Sequence, residues 1–133
     1  MLHFYKEDNY NLEFCVTHEV HSQFMNIFKD CNPLHSNIAF AREKGFKSEV
    51  MHGNILNGFV SYFIGECLPI KNVIIHSQEI VYKNAVYLDD LLSFDAVVTE
   101  TFDSVNAVEF KFNFKNAESK VVAKGKIQIG ILT

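Results

Sequence analysis

Two different periods of hydrophobic and polar positions run along this chain. Leu12, Phe14 and Val16 alternate with polar or small neighbours, which predicts a first strand. Thr17 then suits the cap of a helix on which Val20, Phe24, Ile27 and Phe28 form one apolar stripe. Because Pro33 restricts the residue before it, that helix is expected to stop near Asn32. Asn37 predicts the cap of a short helix through Lys44, with Gly45 as its stop. Residues 54–67 carry Ile55, Leu56, Phe59, Val60, Phe63 and Ile64, apolar on nearly every side, as in a buried helix. On that helix Gly58, Ser61 and Gly65 are small positions at which another backbone can come close.

Beyond Pro69 the period becomes two. Val108, Phe110, Phe112 and Phe114 alternate with Glu109, Lys111 and Asn113, and residues 121–131 alternate in the same way. Residues 72–83 and 91–101 are strand-like with less regular alternation. Strands following a buried helix predict an α+β arrangement, an antiparallel sheet wrapped around that helix. No linker, repeat or low-complexity tract interrupts residues 1–133, so one domain is expected.

Composition narrows the function. The 133 residues are 48% hydrophobic and 21% charged, with 13 Phe, two Pro and six Gly, which describes a packed globular core. A net charge of -4, with Arg42 as the single arginine, argues against nucleic acid as a partner. The N-terminal residues show neither a basic start nor an apolar run, and the stretch around residues 55–64 is too short to span a bilayer. Cys15, Cys31 and Cys67 form no C-x-x-C pair, so free thiols and a cytoplasmic location are expected.

Chemically useful side chains concentrate in Asp30-Cys31-Asn32-Pro33-Leu34-His35 and in His52-Gly53-Asn54. A carboxylate and an imidazole on a proline-stiffened loop can converge on one water, with histidine suited to proton transfer near neutral pH. Gly53, at a helix N-terminus, lets a ligand approach backbone amides able to receive an oxyanion. Taken by themselves, such segments are more often a helix stop with a surface hydrogen bond and a tight turn into a core helix. A zinc site from Asp30, His35 and His52 would need a geometry the spacing does not supply, and none is expected.

Together these blocks, with Phe40-Ala41, Gly45-Phe46, Val50-Met51-His52-Gly53, Ser61, Gly65 and Leu68-Pro69, resemble the MaoC-like dehydratases, which include (R)-specific enoyl-CoA hydratases. The resemblance spans residues 12–131, and its specific part residues 30–69. It implies the hot-dog fold and a homodimer. It further implies reversible syn addition of water to a trans-2-enoyl thioester, giving an (R)-3-hydroxyacyl thioester. Asp30 and His35 match the family's catalytic pair, Asn32 its hydrogen-bonding asparagine and Gly53 its oxyanion donor. Ser61, His52, Asn54, Phe63 and Ile64 are the implied substrate-binding positions. No cofactor is implied, coenzyme A or acyl carrier protein being part of the substrate. Asn54 stands where relatives commonly carry Met, which places a polar group near the acyl site.

Other features read more plainly. His18 and His21 are expected at a solvent-facing helix start, and His76 as a satisfied sheet residue. Arg42, Lys44 and Lys47 suit a solvated face, or else the phosphates of a carrier. Two further functions fit the fold. A hot-dog thioesterase generally relies on a carboxylate at the central helix, and residues 53–65 carry none. A non-catalytic acyl-binding subunit would have no need of Asp30, Asn32 and His35.

Overall fold

In the computed structural model, which describes residues 3–133, five strands form one antiparallel sheet against a central helix. The elements are β1 (Asn9–Cys15), α1 (His18–Phe28), α2 (Pro33–Ser36), α3 (Ile38–Glu43), α4 (Gly53–Tyr62), β2 (Val73–Tyr82), β3 (Leu91–Phe102), β4 (Ala107–Lys115) and β5 (Val121–Ile131). Strand order is β1-β3-β4-β5-β2, which leaves β1 and β2 as the edges. Residues 1 and 2 of the expected domain lie outside the described residues. Among the described residues no helix is long and apolar enough to cross a membrane.

The core lies between α4 and the sheet. Leu92, Phe94, Ala96 and Val98 of β3 and Val108, Phe110, Phe112 and Phe114 of β4 are buried, and so face α4 at every second position. From the helix come Ile55, Leu56 and Val60, extended by Phe63 and Ile64 on a π-helical turn, Phe63–Cys67. Phe63 packs on Phe94 and Phe110 with ring centroids 5.1 and 5.5 Å apart. The helix is buried on one side only. Asn54, Gly58, Ser61, Tyr62 and Gly65 are exposed, and among the described residues, the helix's own neighbouring backbone aside, nothing comes within 4 Å of where a Cβ on Gly58 or Gly65 would stand. The close backbone approach expected at those small positions is therefore not made by any other element among the described residues.

Two local departures have clear causes. Helix α1 ends at Phe28 rather than near Asn32, because Lys29 turns left-handed (φ 60°) and donates its N–H to the Met25 carbonyl. Thr17 caps the other end as expected, its hydroxyl accepting from Val20 N at 3.2 Å. Pairing of β2 with β5 slips between Ile75 and Ser77, so His76 is an extra residue in a bulge.

Where β2 crosses β5, glycine is required by contact. A Cβ on Gly125 would collide with the Glu79 carbonyl oxygen and lie 2.8 Å from Phe112 Cζ. Gly125→Ala is therefore expected to cost about 1–3 kcal/mol through forced movement of the strands, read as a lower urea midpoint at unchanged slope.

Candidate active site

The loop from α1 to α2 is shaped by short side chains bonding to nearby backbone. Asp30 Oδ1 accepts from Asn32 N at 3.3 Å, and Asn32 Oδ1 accepts from Leu34 N at 3.0 Å as the cap of α2. Pro33 fills the first helical position, where a missing N–H costs nothing. Ser36 Oγ donates to the Cys31 and Asn32 carbonyls, closing the turn from beneath. These contacts leave Asp30 with its carboxylate half exposed.

Residues 50–52 bring the second half of the site against this loop. Val50 N donates to Leu34 O at 3.0 Å, and Met51 N to Val86 O at 2.8 Å. His35 Nδ1 lies 2.6 Å from Val50 O. A carbonyl can only accept, so Nδ1 carries the proton and Nε2 is the free basic nitrogen. By the same reasoning His52 Nε2, 2.9 Å from Asp30 O, carries a proton and donates it there. The His35 and His52 rings stack with centroids 3.9 Å apart. One buried imidazole thus touches both the backbone of Asp30 and the ring of His35.

His21 completes the cluster. It is buried rather than solvent-facing, because it falls on the inner stripe of α1 next to Val20 and one turn before Phe24. Its ring centroid is 5.6 Å from that of His52, and Phe24 lies 4.6 Å from His52 on another side. Burial lowers the pKa of His52 below the ordinary 6.5, partly offset by the hydrogen bond to Asp30. It lowers His21 too, with the neighbouring His52 adding to the effect.

A cleft of about 500 Å³ is bordered by Asp30, His35, His52, Gly53, Asn54 and Tyr82. A second, apolar groove of about 750 Å³ runs between α1 and α4, walled by Val20, Phe24, Phe28, Ile55 and Phe59. Asp30 and Asn54 border both. The carboxylate therefore stands where a polar cleft meets an apolar trough.

Five of the nine expected site residues meet here: Asp30, His35, His52, Gly53 and Asn54. The other four lie elsewhere. Asn32 is occupied with capping α2, and Ser61 is exposed on the outer side of α4. Phe63 and Ile64, expected at the acyl pocket, turn instead into the core, 0% and 3% exposed. As the first residue of α4, Gly53 has an N–H with no intrahelical acceptor. The space of its missing side chain is filled by Tyr82, whose Cε1 and Cζ would lie 2.7 Å from a Cβ. Tyr82, Asn57 and Gln78 are site residues that sequence periodicity does not single out. Of the expected basic group, Lys44 and Lys47 lie over the rings of Phe40 and Tyr87, and Arg42 Nε donates to Lys47 O.

Side-chain ligand atoms of Asp30, His35 and His52 lie within 4.8 Å of one another, close enough to be considered for a metal ion. Each imidazole donates one nitrogen to a carbonyl, and each keeps a second without a hydrogen-bond partner here, His35 Nε2 and the buried His52 Nδ1. For proton transfer the set offers the free His35 Nε2 and the half-exposed Asp30 carboxylate in one cleft.

No family model matches the chain. It is 29% identical over 106 residues to an (R)-specific enoyl-CoA hydratase of Rhodospirillum rubrum, covering 80% of this chain and 73% of the relative. To an (R)-specific enoyl-CoA hydratase of Aeromonas caviae it is 33% identical over 76 residues, 57% of either chain, so little more than half of that relative is spanned. The solved (R)-hydratase from A. caviae superposes with a TM-score of 0.91 at 20% identity, over 99% of this chain and 100% of that one. A MaoC-like dehydratase from R. rubrum gives 0.78 at 18% identity, over 98% and 95%. The superpositions give the hot-dog fold, and with the hydratase relatives they support the chain's similarity to the MaoC-like dehydratases.

Proposed function

We propose that this protein is a hydro-lyase that adds water reversibly to a trans-2-enoyl thioester, giving an (R)-3-hydroxyacyl thioester. The observation that carries the reading is the meeting of Asp30, His35 and Gly53 in one cleft, which Asp30 joins to the apolar groove. Coenzyme A or an acyl carrier protein supplies the thioester, and the reaction calls for no further cofactor. In the bound substrate the acyl chain lies along the apolar groove and the carrier leaves through the polar cleft.

Chemistry follows from the free atoms. Water oxygen adds to the β-carbon as a proton passes to His35 Nε2 or the Asp30 carboxylate. Charge moves through the conjugated system onto the thioester oxygen, where the Gly53 N–H receives it. The proton is then returned to the α-carbon by the group that took it, on the side at which the water added. That delivery makes the addition syn. His52 takes no proton in this scheme and holds its two neighbours in place.

Each proton-transfer group should contribute roughly 10²–10⁴-fold to turnover. Asp30→Asn retains an acceptor for Asn32 N and removes the basic carboxylate, while His35→Gln removes the imidazole. Both should lose that much in enoyl-CoA hydration, followed by loss of the conjugated absorbance from crotonyl- to dodecenoyl-CoA. The double variant should be little worse than the poorer single one, as for groups that act as a unit. Full turnover in a folded Asp30→Asn variant would overturn the mechanism.

Stability should depend on pH through the buried histidines. His21 and His52 are both held below 6.5, so the unfolded chain takes up protons first on acidification. Their contribution is fully present above about pH 6.5 and is lost as pH falls through the lower folded values. Urea unfolding between pH 5 and 8 should show a falling midpoint on the acid side, and His21→Leu should flatten it.

We further propose that the protein works as a cytoplasmic homodimer. The free edge of β2 and the open side of α4, with Tyr62 half exposed, support a second copy there. Light scattering should give twice the 15.3 kDa chain mass, and a monomer at micromolar concentration would refute it.

A further inference from the structure

We propose that the Tyr82 hydroxyl is a second hydrogen-bond donor to the thioester oxygen, acting beside the Gly53 N–H, with Asn57 and Gln78 as the positioning residues that aim it. The proposal rests on the hydration reading for the identity of its ligand.

A directed chain of side-chain hydrogen bonds leads to that hydroxyl. Gln78 Nε2 donates to Asn57 Oδ1. Asn57 Nδ2 then donates to Asn54 Oδ1 at 2.9 Å and to Tyr82 Oη at 3.3 Å. Both Asn57 amide hydrogens are thus used. Tyr82 Oη already accepts, and its own hydrogen remains to be donated. Burial pushes the Tyr82 phenol above its ordinary pKa of 10.0, so it keeps that hydrogen throughout the neutral range.

Position restricts where the hydrogen can go. Tyr82 ends β2, and its ring lies over the open face of Gly53, with Oη 3.1 Å from where a Cβ would stand. A backbone nitrogen lies about 2.5 Å from the Cβ of its own residue, so Gly53 N and Tyr82 Oη are no more than about 5.6 Å apart. One oxygen at hydrogen-bonding distance, about 2.9 Å from each, can therefore reach both donors. Gly53 and Tyr82 border the same cleft as Asp30 and His35, so an oxygen held there belongs to a substrate that also faces the proton-transfer pair. The glycine acquires a second reason on this account: it makes room for the phenol as well as for the ligand.

Tyr82→Phe keeps the ring and removes only the hydroxyl. If Tyr82 merely packs on Gly53, the phenylalanine variant should behave as the wild type. If it donates to the developing oxyanion, kcat for crotonyl-CoA hydration should fall roughly 10²–10³-fold, with KM changed far less. Asn57→Ala should shift both quantities in the same direction by less, because the hydroxyl is retained without its orienting partner.

A readout that needs no turnover is the enolate absorbance of bound acetoacetyl-CoA titrated against pH. Wild type should form the enolate at a pH one to two units below Tyr82→Phe, which is about ten- to a hundredfold in the ionisation constant. An unchanged kcat and an unchanged enolate titration in folded Tyr82→Phe would overturn the proposal, even with Asp30→Asn inactive. A Tyr82-dependent enolate shift in a protein that hydrates no enoyl thioester would uphold the donor pair and overturn the hydration reading instead.

Discussion

Three extended residues, Val50, Met51 and His52, hold this molecule's site together. On one side Val50 is tied to α2 through Leu34 and His35, and on the other Met51 is tied to the loop before β3 through Val86. His52 then reaches across to the Asp30 carbonyl. Each bond contributes only about 0.5–1.5 kcal/mol net, but together they join α2 and two loops to the start of α4. Removing His52 would release the Asp30 backbone and the stacked face of His35 at once.

That arrangement explains why much of the site was legible in the sequence and some of it was not. The strands announced themselves because β3 and β4 bury alternate residues with no interruption over Leu92 to Val98 and Val108 to Phe114. Asp30, His35, His52 and Gly53 stood out because local rules act on them: a proline, a cap and a helix start within a few residues. His21 was also within reach of helical spacing, since it shares a stripe with Val20 and Phe24, yet its polar character suggested solvent. Tyr82 and Gln78 were not legible at all. Their contact with α4 depends on how far β2 runs along β5 before it meets the helix, and the bulge at His76 changes that register.

Phe63 and Ile64 went astray for a related reason. Carrying the resemblance through α4 treats the helix as regular, whereas it loosens into a π-helical turn at Phe63. The same two side chains are then part of the wall between helix and sheet, with Phe63 against Phe94 and Phe110. Apolar character alone could not separate a core position from a pocket position, and the groove is walled instead by residues of α1 with Ile55 and Phe59 of α4.

The bulge at His76 has a bearing on how the chain behaves in a crowded solution. Strand β2 is a sheet edge that exposes Ile74, Ile75 and Val81, a composition prone to runaway association. An extra residue near its start bends the strand and throws the backbone donors before it out of phase with those after it. A strand arriving from another molecule can match one stretch or the other, and a long, flat, continuous ladder of the kind that seeds fibrils is denied to it. The irregularity thus limits the length of any partner strand that the edge can recruit.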